Sequence, residues 1–263
     1  MTTLTVSLPT YRNPETLRRA VDSILNQTFT DLRLVVVNDG EVATEAFRPL
    51  EDITDPRLIR FSLLENHGRY FADAVVAFAC DSEFFTTHDS DDWSELRRLE
   101  EMMHLAKNAD VVPGTEIIHT RNRYRVRRPL LKLPNRPLPH MWHLSAVYRT
   151  EVFRSVIHPG FRVGYDSLMS SMLAASTLKI VPAVRYKYHR VSRPDSLTRD
   201  PLTGMDSEFR RETVKKLLHL WNLVPPNPTL EVLEKIVWQS VHIKDSLAVE
   251  KEVARLRKVL ESR

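Results

Sequence analysis

Apolar positions along this chain fall into short blocks separated by polar stretches of helical period. Leu4 to Leu8 reads as a first strand and Leu32 to Val37 as a second, buried one, closed by the turn Asn38-Asp39-Gly40. Between them Leu17, Val21, Ile24 and Leu25 recur at helical spacing. Asn13-Pro14 opens that helix, with Asn as N-cap and Pro at the first helical position. Leu58 to Leu63 is a third strand. Arg69 to Cys80 is a helix that turns Phe71, Ala74, Val75 and Phe78 inward. Glu83 to Thr87 is a fourth strand, and Ser94 to Lys107 a further helix. This strand–helix alternation predicts an α/β fold with a mostly parallel central sheet and crossover helices.

Past about Asp110 the pattern changes. Val111 to Ile118 reads as a strand, and Pro129, Pro134, Pro137 and Pro139 mark a loop-rich segment. Ser145 to Val156 and Asp166 to Ala175 read as helices, and Leu178 to Val184 as a strand. Ser192 to Gly204 has the polar, turn-rich composition of a mobile loop. Asp206 to Leu223 and Thr229 onward are helical, with Val253, Leu256 and Leu260 as an apolar stripe. The expected division is an α/β unit over 1–205, with halves 1–110 and 111–205, and a helical C-terminal extension over 206–263. Those last helices either pack back on the unit or form a homodimer contact.

Composition narrows the classes. Among 263 residues, 42% hydrophobic and 27% charged content suits a chain that buries a real core. A single cysteine, Cys80, excludes an intrachain disulfide and a cysteine-built zinc site. No apolar run nears the roughly 20 residues that span a bilayer, and no basic-then-apolar leader precedes Leu4. The expectation is a cytoplasmic protein. The six glycines lie too far apart for a G-x-G-x-x-G or P-loop cradle. Net charge is only +4, yet residues 117–150 carry no acid and eight arginines and lysines. That imbalance points to an anionic partner at one place.

The densest candidate chemistry is Asp89-Ser90-Asp91-Asp92, directly after Phe84 to Thr87. Acids at the C-terminal end of a parallel strand emerge at the crevice of an α/β sheet. Clustered carboxylates repel unless a cation sits among them, and oxygen-only ligands suit magnesium or manganese. The plainer alternative is an acidic helix start, with Asp91 or Asp92 as its cap.

Four segments in register resemble the family 2 glycosyltransferases of GT-A fold. They are Val6-Ser7-Leu8-Pro9-Thr10-Tyr11, Val35-Val36-Val37-Asn38-Asp39-Gly40, Asn66-His67-Gly68 and Asp89-Ser90-Asp91-Asp92, within a match over residues 4 to 195. The resemblance implies an inverting transferase with a nucleotide-sugar donor, UDP or dTDP foremost, and a divalent cation, Mn2+ or Mg2+. Pro9, Thr10, Tyr11, Arg12, Asp39, Arg69, Asp89 and Ser90 would form the donor site. Asp39 would accept the imide N–H of uracil or thymine; alternatively it is a turn residue before Gly40. Asp91 would hold the metal, with His189 of Tyr186-Lys187-Tyr188-His189-Arg190 beside it. Asp166 would take the acceptor proton; alternatively Asp166-Ser167 caps the next helix. Arg193 and Ser196 are candidates for the donor phosphates.

Three departures stand out. The family's A-R-N is Ala72-Asp73-Ala74 here, so Arg69 or Arg12 would have to replace its arginine. The family's E-D pair is Tyr165-Asp166. No Q-x-x-R-W follows, which implies single transfer rather than polymer synthesis.

Arg121, Arg123, Arg125 and Arg127 alternate, so a strand would put them on one face. Stacked like charges call for an anion, such as a phosphorylated acceptor, nucleic acid or an anionic lipid head group. The alternatives are an edge strand defended by charge, or a neighbouring acidic helix carrying Glu95, Glu100 and Glu101. Arg123, Arg125, Trp142 and His143 are the acceptor candidates. The rival function is a polyanion- or nucleic-acid-binding protein built on this stripe, including a glycosyltransferase whose acceptor is nucleic acid. A nucleotidyltransferase is disfavoured, because Pro9 to Asn13 holds no glycine for a triphosphate loop.

Overall fold

The computed structural model describes residues 2–121, 123–130, 142, 145–192 and 201–262. Among them the strands are β1 (Leu4–Thr10), β2 (Leu32–Asn38), β3 (Leu58–Ser62), β4 (Phe84–Thr87), β5 (Trp93–Ser94), β6 (Val111–Val112), β7 (Gly114–Thr120), β8 (Arg123–Arg127), β9 (Val147–Arg149) and β10 (Ala183–Val191). The helices are α1 (Pro14–Leu25), α2 (Ala43–Ala46), α3 (Arg69–Ala79), α4 (Arg98–Ala106), α5 (Thr150–Val156), α6 (Tyr165–Ala175), α7 (Glu208–Trp221), α8 (Leu230–Ser240) and α9 (Ile243–Glu261).

One sheet runs β3-β2-β1-β4-β9-β6 and a second runs β5-β10-β7-β8. In the first, β1 to β4 are mutually parallel, and β9 lies antiparallel between β4 and β6. Both faces of β2 are buried, which explains its apolar run. Leu34 and Val36 pack with Leu17, Val21 and Ile24 of α1. Val35 and Val37 pack on the other face with Phe71 and Val75 of α3. That second core continues through α5 and α6 into Leu217, Leu233, Val237, Val253 and Leu256 of α7, α8 and α9. The C-terminal helices therefore pack back on the sheet unit. Arg257 Nη2 donates to Phe78 O at 2.8 Å and Trp238 Nε1 to Arg154 O at 3.1 Å. No helix among the described residues is long and apolar enough to cross a membrane.

Several elements differ from expectation. The helix read from Ser94 starts at Arg98, because Trp93-Ser94 pair with Tyr188 and His189. The helix read over Ser145 to Val156 begins as β9, whose Tyr148 pairs with Phe85 and Val111. The strand read at Leu178 to Val184 instead spans Ala183–Val191. Asn13 precedes α1 as expected but makes no capping bond; its amide donates to Ser90 Oγ at 3.0 Å.

The α3 helix also buries a charge. Asp73 is 0% exposed, accepts from Ser7 Oγ of β1 at 2.7 Å, and lies 3.5 Å from Arg69 one turn earlier. Burial raises its pKa to about 6, against the pull of Arg69 and Ser7.

Two stability outcomes follow from this packing. Leu256→Ala should cost about 2–5 kcal/mol and lower the urea midpoint of the whole chain, since Leu256 is fully buried in the shared core. An unchanged midpoint would show that α9 is not part of that core. For Asp73 the folded pKa lies above the unfolded one, so its contribution is present below pH 3.8 and lost as pH rises through about 6. Asp73→Asn should remove that decline. Urea titrations across this range would expose the difference, and parallel curves for the two proteins would contradict it.

Candidate active site

The C-terminal ends of β1, β2 and β4 deliver Thr10, Asp39 and Asp89 to one edge of the first sheet. Asp39 is 4% exposed and its two oxygens accept the His67 and Gly68 N–H groups, each at 2.8 Å. Burial pushes its pKa up against those two bonds. The corner is close-packed: Gly40 has φ +85°, and a Cβ there would lie 2.5 Å from Asn66 N. Asp39 thus pins the Asn66–Gly68 turn beneath the crevice. Each carboxylate oxygen keeps a further acceptor site, so this does not exclude a base N–H.

The first loop follows the same edge. Thr10 O accepts the Asp39 N–H at 3.0 Å, Pro9 is half-buried, and Tyr11 is 38% exposed. Arg12 adopts φ +55°, donates its backbone N–H to Glu41 Oε2 at 2.7 Å, and sets its guanidinium 5.0 Å from the Tyr11 ring. Of the two arginines considered as replacements, Arg69 is the one beside the carboxylates. It pairs with Asp89, and its Nη2 lies 3.3 Å from Thr87 Oγ1.

Asp89, Asp91 and Asp92 bring carboxylate oxygens within 4.8 Å of one another. Neither Asp91 nor Asp92 caps a helix, because α4 starts later. Asp92 is buried, accepts the Val191 N–H at 2.8 Å, and has its pKa pushed well above the usual range by burial and by Asp89 and Asp91. Ser90 is buried as well. Three converging carboxylates fit a hard divalent cation. Asp92 is a member that the D-x-D reading passes over, although its position in the run of acids was a signal for it.

His189 does not join this group. Its Nδ1 lies 2.8 Å from His119 Nε2, its Nε2 lies 3.2 Å from Glu95 Oε1, and its ring stacks on Trp93 at 3.6 Å. Both ring nitrogens face protein partners, and the carboxylates that converge are those of Asp89, Asp91 and Asp92. The neighbours of His189 on β10 serve the crevice instead. Asp89 N–H donates to Tyr188 Oη at 3.0 Å. Arg190 is half-buried, and Glu116, Asp89 and Asp92 outweigh its desolvation and hold it charged. No motif marked either residue.

Asp166 sits inside the first turn of α6, after Gly164 in the left-handed region, and is not the cap. Its Oδ1 accepts from Tyr70 Oη at 3.3 Å, and its N–H donates back to the same oxygen at 3.3 Å. Trp142, expected against the acceptor, is 1% exposed and packs in the core. Arg123 and Arg125 are exposed on β8. His143, Arg193 and Ser196 lie outside the described residues.

Comparison with known proteins bears on the fold and the family. The glycosyltransferase GlyA of Streptococcus pneumoniae is 32% identical over 115 residues, which is 42% of this chain but only 16% of that protein. The S. aureus TarS structure in complex with UDP-GlcNAc has a TM-score of 0.65 at 17% identity, covering 95% of this chain and 79% of that one. The mannosyltransferase PcManGT of Pyrobaculum calidifontis, in complex with GDP-Man and Mn2+, has a TM-score of 0.59 at 15% identity, covering 99% and 75%. These two share the fold. The model of Glycosyl transferase family 2 matches residues 5–163, from β1 through the carboxylate cluster to the approach of α6, and the chain belongs to that family.

Proposed function

We propose that this protein transfers one sugar from a nucleotide diphosphate, UDP or dTDP, to an acceptor hydroxyl with inversion and without processive elongation. The observation that carries this reading is the trio Asp89, Asp91 and Asp92 at the crevice, with Asp166 tied to the same first turn of α3. Family membership and two structural neighbours holding UDP-GlcNAc, or GDP-Man with Mn2+, support it.

Asp91 and Asp92, with Asp89, would hold Mn2+ or Mg2+, which when bound neutralises charge on a departing diphosphate. The protein's own groups do the rest. Pro9, Thr10 and Tyr11 form the wall where the base lies, and Asp39 accepts its imide N–H. Ser90, held by Asn13, keeps the carboxylates spaced. Arg69 offers a guanidinium at the place where a phosphate oxygen would come. Asp166 takes the acceptor proton as general base, and the Tyr70 hydroxyl fixes the direction of its carboxylate. Residues 1–205 would supply the transferase unit, with the donor on the 1–110 half and the acceptor on the 111–205 half, and residues 206–263 would brace it.

Thermal unfolding with UDP, dTDP and GDP, each with and without manganese, tests the donor site. A ligand at about 100 times its Kd adds ~2.7 kcal/mol. The wild type should need one nucleotide and manganese together, and Asp91→Ala should lose the shift. No shift with any nucleotide would sink the donor assignment. Asp166→Asn should keep the shift and lower turnover by roughly 10²–10⁴-fold. Full turnover in that variant would remove Asp166 as the base.

A further inference from the structure

The β8 strand is the edge of the second sheet, and its register sets Arg123, Arg125 and Arg127 opposite Thr120, Ile118 and Glu116 of β7. Directly opposed residues share a face, so three arginines line one face of the edge. The acid there is Glu116, which is 2% exposed and lies 3.8 Å from Arg127 and 3.6 Å from Arg190. Neither of its oxygens accepts a hydrogen bond among the described residues. One carboxylate is therefore shared by two guanidiniums, and Arg123 and Arg125 have no acidic partner among the described residues.

The acidic segment expected as a counterweight is engaged elsewhere. Glu100 pairs with Arg97. Glu101 accepts the backbone N–H groups of Val184, Arg185 and Tyr186. Glu95 accepts from Lys187 N and faces His189. Edge defence needs a charge or two facing solvent; it does not account for a row whose inner member is half-buried beside the crevice. Burial holds Arg127 below its ordinary pKa, with Glu116 pulling up, Arg190 and Arg125 pushing down, and Asp166 close enough to pull up as well.

We propose that this arginine face seats phosphate groups of the acceptor, with its Arg127 end towards Glu116 and Arg190 and its Arg123 end towards solvent. Guanidinium forks match phosphate oxygens in bidentate fashion. Alternate residues of a strand stand about 7 Å apart, so Arg123 and Arg125 reach separate phosphates along a chain. Tyr124 and Val126 lie on the opposite face of β8, so the strand itself sets no ring beside the arginines for a base to stack on. That favours a base-free, phosphate-linked acceptor over single-stranded nucleic acid. The acceptor role rests on the transferase reading above.

The test is binding of labelled inorganic polyphosphate to the full chain at low salt with metal chelated. The comparison is wild type, Arg123→Ala/Arg125→Ala, Asp91→Ala and Tyr124→Ala. Loss of two charge-assisted contacts should weaken binding by about tenfold or more in the double variant. Asp91→Ala and Tyr124→Ala should bind as wild type does. The double variant should keep its nucleotide-and-manganese shift, which shows that it is folded. Unchanged affinity in the double variant would overturn the proposal, and so would markedly tighter binding in Asp91→Ala, which would place the probe beside the donor carboxylates. Equal binding of polyglutamate would reduce the face to unselective charge. Tighter, arginine-dependent binding of a single-stranded oligonucleotide would assign the face to nucleic acid. If arginine-dependent binding persists in a wild type that shows no nucleotide shift, the transferase reading fails and the face is no acceptor seat.

Discussion

The Arg69 guanidinium stands between two carboxylates from different parts of the fold, Asp73 on its own helix and Asp89 beyond β4. Removing one member of a buried pair typically costs about 3–5 kcal/mol, because the other charge is left without a partner. Here the same cluster also includes Ser7 of β1 and Thr87 of β4. It therefore fixes how the first turn of α3 meets the sheet edge. The next residue, Tyr70, holds Asp166 through its hydroxyl. One helical turn thus sets both the carboxylate cluster and the proposed base, and a shift of α3 would move them together.

That arrangement gives Ala72-Asp73-Ala74 a physical sense. An acid where the family pattern carries arginine does not leave the site without a guanidinium. Residues four apart on a helix are neighbours, so Asp73 draws the Arg69 side chain towards the same region from one turn earlier. The substitution moves the positive group instead of deleting it. Arg190 adds a second one, drawn towards Asp89 and Asp92 from the other sheet. These arginines lie beside the three carboxylates that converge for a cation, and mixed charge of this kind suits a divalent cation followed by an anionic diphosphate.

Much of this was legible in the sequence where the physics is local. The parallel strands showed as apolar runs because both faces are buried. The D-x-D run and the end of β2 were visible because acids and glycine there follow directly from strands. What escaped depends on partners distant in the chain. His119 and His189 are 70 residues apart and meet only when β7 and β10 pair in parallel. Trp142 belongs to the buried cluster that also holds Tyr148 and Phe153, which only the β9–α5 packing assembles. The short β9 looked helical because its three residues run straight into α5, and only the free edges of β4 and β6 make it a strand.

The start of β10 shows how an apparent surface charge can serve the fold. Its pairing to β7 breaks between Ala183 and Lys187, so the intervening backbone has no strand partner on that side. These N–H groups would otherwise be left to water. Glu101 takes three of them, from Val184, Arg185 and Tyr186, and Glu95 takes the one from Lys187. In sequence these acids look like a solvated helix face set against the arginines. In the fold they anchor the bulge that leads into Tyr188, Arg190 and Val191, each of which touches or faces the carboxylate cluster. Loss of Glu101 would loosen the register of β10 before it disturbed any charge at the surface, and through β10 it would reach Asp89 and Asp92. The acids are thereby committed to backbone, which is why the arginine face of β8 keeps its excess of positive charge.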